Sequence, residues 1–249
     1  MSVLEALAIV GVGLVAGTIN TIVGSGSLIT FPTLLAFGFS PIVANVSNTV
    51  GLAPGSLSGA IAYRRELEGQ RPRLLVLGSA SVAGGITGAV LLLALPGSVF
   101  RHVVPVLILV ACVLVAVQPR LSRRLADRAQ PPLHGGVPLF IGVYLTGVYG
   151  GYFGAAQGVI LMSLLGIFLD DQLQRLNAAK NVLALLVNGA SALLFISVTH
   201  IAWEAAALIA AGSVVGGQVG GVLGRRFPAA LLRVLIIVVG VTAAVVLLA

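Results

Sequence analysis

Lys180 is the only lysine in a chain that carries thirteen arginines, and it lies about seven residues into an apolar run that begins near Leu173. Seven helical residues rise about 10 Å. An ammonium at that depth needs a partner of opposite charge, or a path for its long side chain back to water. Asn177 and Asn181 flank it, and their spacing of four puts them on one helix face. No carboxylate is evident on a neighbouring run. A bound anion would be the missing partner; snorkelling towards Asp170 and Asp171 is the alternative. The corresponding stretch of the first half holds Asn45, Ser47, Asn48 and Thr49. Amides such as these either bind a ligand or bond neighbouring helices.

Two turn clusters complete the set: Gly24-Ser25-Gly26-Ser27, and Gly154-Ala155-Ala156-Gln157-Gly158. Each precedes a short apolar run, 28–37 and 159–169, which as a helix rises only about 16 Å, roughly half a bilayer core. Backbone that leaves the helix at membrane depth must be buried in protein or line a cavity. At the start of a short helix it presents free N–H groups and the positive end of the helix dipole, which suits an anion. Gly26 lets backbone approach a ligand, and Ser25 and Ser27 add hydroxyl donors. The plainer reading is a pair of tight turns between packed helices. The candidate substrate-binding set is therefore Asn20, Ser25, Gly26, Ser27, Asn48, Gln157, Asn177, Lys180 and Asn181.

No catalytic or metal-binding constellation stands beside it, and no cofactor is expected. Glu5, Glu66, Glu68, Asp127, Asp170, Asp171 and Glu204 fall near segment ends or in loops, and His102, His134 and His200 are far apart. Cys112 is a lone cysteine in an apolar run, a poor nucleophile and no metal pattern.

The elements that must position these residues are membrane helices. Hydrophobic residues make up 58% of the 249 residues and charged residues 8%, against about a quarter in soluble domains. A basic pI with arginines confined to short loops speaks for orientation in a bilayer, not for nucleic acid. Residues 81–101 and 213–233 share nine identities in 21 positions, so the chain reads as two copies of one unit. The stretches 64–73, 119–136, 169–175 and 225–228 hold eleven arginines, and the intervening ends hold only Arg101. By the positive-inside rule the first set faces the cytoplasm. Loop 96–97 then faces out while its repeat mate at 225–228 faces in, so the repeats are inverted.

The expected fold is an all-α polytopic membrane protein of eight to ten segments. Each inverted-topology repeat has a short hairpin pair plus three long transmembrane helices. Residues 1–249 form a single transmembrane domain: repeat 1 over 1–118, a cytoplasmic linker over 119–136 and repeat 2 over 137–249. The protein is expected in the cell membrane, multi-pass, with both termini extracytoplasmic. Ridges of small residues at spacing four (Gly51/Gly55/Gly59, Gly84/Gly88, Gly216/Gly220/Gly224) suit close helix packing. A homodimer through such faces is their other use. The expected partners are the lipid bilayer and a small anionic substrate.

At these motifs the sequence resembles the TauE/SafE family of sulfite-exporter-like membrane proteins. Gly17, the Gly24–Ser27 turn, Pro32, Ala44-Asn45 and Asn48 carry the likeness in one half. Gly147, Gly154, Gly158 and the Asn177–Asn181 stretch carry it in the other. The resemblance implies transport of sulfite, an organosulfonate or a related small anion by alternating access. An anion channel with the same lining, or a membrane-embedded sulfur-transfer or scaffold protein, are the alternatives.

Overall fold

A computed structural model describes residues 2–126 and 135–224, with further residues scattered between 234 and 245. The centre of the expected linker (127–134), loop 225–228 and the start of the last expected span, 229–233, lie outside the described residues. Among the described residues there are nine α-helices and no strand. They are α1 (Val3–Ile22), α2 (Ser27–Ala36), α3 (Pro41–Ala62), α4 (Arg71–Ala94), α5 (Gly97–Ala126), α6 (Gly136–Tyr152), α7 (Gln157–Phe168), α8 (Leu173–Val198) and α9 (Trp203–Leu223), with a single 3-10 turn at Arg64–Leu67.

Five of them, α1, α4, α8, α9 and the Gly97–Val117 part of α5, are long and apolar enough to cross a bilayer. The chain is a multi-pass α-helical membrane protein. Helix α3 has the length, 22 residues, without the apolarity. The reason is local: Asn45, Ser47, Asn48, Thr49, Ser56 and Ser58 are all buried inside the bundle, where other protein groups can meet their polar atoms. Helix α1 opens on a capping box, in which Ser2 and Glu5 satisfy each other's backbone N–H. Helix α5 runs to Ala126, past the expected break near Val117.

Contacts at the glycines fix the helix directions. On α1, Gly13 meets Ile209 and Gly17 meets Ser213, while Gly220 meets Thr18 and Thr21, so α1 and α9 run parallel. On α4, Gly84 meets Tyr144 and Gly147, and Gly88 meets Val148 and Tyr152, so α4 and α6 also run parallel. Because no hydrophobic force draws helices together in lipid, such close backbone contact supplies much of the packing energy. All three glycine ridges make contacts within the chain.

The two ends of the bundle follow. One end gathers the starts of α3 and α5, which share a cleft lined by Ser40, Pro41, Ile42, Pro96, Gly97 and Ser98. The loop before α9 joins them, with the Ala202 N–H donating to Ser47 Oγ at 2.9 Å. The other end gathers Arg73, at the start of α4, with Asp171, between α7 and α8. Hairpin α1/α2 enters from the Pro41 end and returns to it. Hairpin α6/α7 begins beside Arg73, where Gly136 and Val137 line a cleft with Pro72 and Val76, and comes back to the same end at Asp171. An aromatic group holds the returning segments: Phe31 of α2 packs edge-on against Phe153, with ring centroids 5.2 Å apart, and Phe100 of α5 contacts both.

Candidate functional site

The two hairpin tips touch in the interior. The carbonyl of Gly24 accepts the N–H of Gly158 at 3.0 Å, so one turn caps the first turn of the other hairpin's short helix. Glycine is required on both sides. Gly24 adopts φ 88°, and a Cβ there would lie 2.3 Å from the Gly158 Cα. A Cβ at Gly158 would lie 2.4 Å from the Gly24 Cα. Ala156 sits in the left-handed region at φ 59°, a conformation that costs a non-glycine residue about 1 kcal/mol or more and that the tip contact holds in place.

Beside this crossing lie two buried polar side chains. Ser25 is 1% exposed and Gln157 3%, and neither Ser25 Oγ nor Gln157 Nε2 meets a hydrogen-bond partner among the described residues. Leaving such groups unpaired in protein costs on the order of 1–3 kcal/mol each. Both can donate, so the arrangement suits an acceptor.

Lys180 is buried at 1% exposure, and its environment differs from both expectations. It neither reaches the surface nor stands unpartnered. Its Nζ donates to the carbonyls of Asn20 (3.2 Å) and Thr21 (3.0 Å) at the C-terminal end of α1. Asn177 and Asn181 aim their Nδ2 at the same Thr21 carbonyl, at 3.4 and 3.3 Å. The last carbonyls of a helix lack intrahelical donors and carry the negative end of its dipole, so the cation has a fitting seat. An ammonium has three hydrogens, and two are spent here.

The other expected site residues divide. Asn48 donates to Ser27 Oγ at 3.1 Å and accepts from Thr30, which pins α3 to the start of α2. Gly26 packs against α1, where a Cβ would lie 2.5 Å from the Ala16 carbonyl. Asn45 is a tether, donating to the Tyr152 carbonyl at 3.0 Å, much as Asn177 does to Thr21. Asn20 donates to Ser56 Oγ at 3.2 Å, and Asn188 donates to the same oxygen at 3.1 Å. Ser56 and Asn188 were not expected. The signal that marks them is their separation of 132 residues, the same offset that relates Ser81 to Ser213.

Among the described residues, no acid is bonded into this centre. Asp171 lies at the Arg73 end, paired with Arg73 at 2.7 Å and Arg175 at 2.8 Å. Burial raises its pKa, but hydrogen bonds from Arg73, the Gln172 N–H and Arg175 outweigh that and hold the carboxyl below its ordinary value. Clefts of about 400 and 490 Å³ open at the two ends, and neither is lined by the tips or by Lys180.

Comparison with known proteins agrees in one direction. A family model described as sulfite exporter TauE/SafE matches residues 9–247. The chain is 28% identical to the probable membrane transporter protein YfcA of Escherichia coli K12 over 229 residues, 92% of this chain and 84% of that protein. It is 29% identical to a probable membrane transporter protein of Haemophilus influenzae over 209 residues, 84% of this chain and 81% of that one. A third relative, the probable membrane transporter protein ORF9 of a Sinorhizobium species, is 26% identical over 239 residues. The family and these relatives are membrane transporters, not enzymes.

Proposed function

Because the chain belongs to the TauE/SafE sulfite exporter family of membrane transporters, we propose that it exports a small oxyanion, sulfite or an organosulfonate, by alternating access at the crossing of its two hairpin tips. The observation that carries this reading is the pair of buried, unpartnered donors there, Ser25 Oγ and Gln157 Nε2, next to the starts of two short helices. An oxyanion offers acceptors and no donors, and each helix start adds a favourable dipole. Lys180 supplies the net positive charge, its third hydrogen left over from the α1 carbonyls.

Two inverted repeats supply the moving parts. Support comes from hairpins that open to opposite ends and from contacts that recur in exchanged form: Gly17 against Ser213, Gly147 against Ser81. The burial of Ser25, Gln157 and Lys180 favours a carrier over an open channel. Cys112, buried on α5, gives sulfur transfer no accessible thiol. By the positive-inside rule the arginine-rich loops favour an orientation in the cell membrane with the Arg73 end in the cytoplasm and both termini outside.

Flux into proteoliposomes from a panel of sulfite, sulfonates and carboxylates tests the reading. At least one sulfur oxyanion should move, and the double variant Ser25→Ala, Gln157→Leu should lose at least tenfold in rate while keeping its fold. Wild-type flux in that variant, or no flux of any anion in the panel, would overturn it.

A further inference from the structure

The amide pair around Ser56 is not explained by packing alone. Asn188 lies fifteen residues into α8, about 22 Å along its axis and a little past its midpoint. Asn20 sits at the inner end of α1. Both are half-buried, unlike the fully buried Ser25, Gln157 and Lys180. Lipid offers an amide nothing to bond, so an amide hydrogen left over at this depth calls for water, protein or a ligand.

Bonding at the cluster leaves donors over. Ser56 donates its own hydrogen to the Leu52 carbonyl at 3.1 Å, and its oxygen takes one N–H from each amide. Each NH₂ group then keeps a second hydrogen. Asn20 also joins this cluster to the charged centre, because its carbonyl receives Lys180. Lys180 and Asn188 stand on the same helix, about 12 Å apart along the axis.

We propose that Asn188, Ser56 and Asn20 form a second anion subsite, a hydrogen-bonding step on the path between water and Lys180. Its ligand class is a small oxyanion that accepts from two amide N–H groups. Asn188 and Asn20 contact the passing anion, and Ser56 is the positioning residue that fixes both amides. This rests on the anion-transport reading above.

The test uses thiol chemistry at the site. Asn188→Cys, in a Cys112→Ala background, is reacted in membranes with two methanethiosulfonates of similar size, one bearing a sulfonate and one a trimethylammonium group. Expected is a sulfonate reagent favoured at least tenfold relative to the ratio on a thiol in water, with the preference lost when Lys180→Gln is added. No modification by either reagent, or no preference for the anion, would overturn the subsite. Asn20→Cys, on the other side of Ser56, gives the same readout if Asn188→Cys fails to fold. Wild-type protein that moves no anion in the flux panel, yet shows the labelling preference, would break the transport reading and not this one. Flux without labelling would do the reverse.

Discussion

At the scale of single residues, the centre is defined by what Lys180 holds. Its two carbonyl acceptors belong to the last turn of α1, so the side chain is both a charge and a fastener. Hydrogen bonds to a charged group contribute about 1.5–3 kcal/mol each, more than neutral ones. Lys180→Gln should keep the chain inserted, lower the melting temperature in detergent by several degrees, and cut anion flux at least tenfold. Lys180→Arg should recover part of both, because guanidinium keeps the charge but cannot place it on the same two oxygens. Wild-type flux in correctly inserted Lys180→Gln protein would remove the residue from the site. Gly158→Ala gives a second check. With backbone 2.4 Å from the new methyl, the tips must part, and both flux and yield of folded protein should fall sharply. Lys180 and the turns were legible in the sequence because a lone lysine and paired glycine clusters are rare in an apolar chain. Its partners were not, because backbone carbonyls leave no trace in residue types. Ser56 and Asn188 are ordinary polar residues whose only mark is their offset of 132, and the amides of Asn45 and Asn48 gave no sign that both would be held by protein partners.

At the scale of elements, hydropathy and glycine punctuation revealed nearly every helix, since a bilayer imposes length and apolarity together. Helix α3 shows where that signal fails: its polar face is turned inward, so its mean hydropathy misleads while its length does not. The ends of elements carry their own chemistry. Asp171 clasps Arg73 at the start of α4 and Arg175 at the start of α8, while Arg175 also donates to the Glu68 carbonyl at 3.1 Å. Because the Asp171 carboxyl is held below its ordinary value, its contribution is fully present above about pH 4–5 and is lost as pH falls through the lowered value. Thermal unfolding followed from about pH 6 to pH 3 should show this loss in the wild type. Asp171→Asn should start from a lower melting temperature and show a shallower decline over the same range. Equal slopes in the two proteins would show that the clasp adds nothing.

At the scale of the whole molecule, topology and driving force are linked. Cysteines at Glu68 and at Ser2, in the Cys112→Ala background, should label from opposite faces of the membrane, Ser2 from outside. Labelling of both from one face would refute the assigned orientation. An exported monovalent anion gains about 2.3 kcal/mol per 100 mV of inside-negative potential. With no acid at the described centre, export should follow the potential and persist without a pH gradient. Strict dependence on a pH gradient at clamped potential would demand a coupled proton, carried on the substrate itself or on a group outside this centre.

The bond between the tips breaks the symmetry of everything around it. Gly158 and Leu28 are counterparts at an offset of 130 residues, as are Gly24 and Gly154. Yet Gly158 donates across to Gly24, while Leu28 donates within its own turn, to Ser25 at 3.2 Å. The mirror bond, from Leu28 to Gly154, is unmade, and the Gly154 carbonyl receives Gln157 instead. On the proposed inverted-repeat reading, the unmade mirror bond makes the tips a two-position latch. Under the proposed alternating access, trading the present bond for its mirror image would keep the number of bonds between the tips and open the centre to one end in place of the other. Amide exchange reads the latch directly: in the state described here Gly158 should be protected by its bond across the tips and Leu28 only by its own turn, and trapping the opposite state should make Leu28 the cross-bonded, more protected amide.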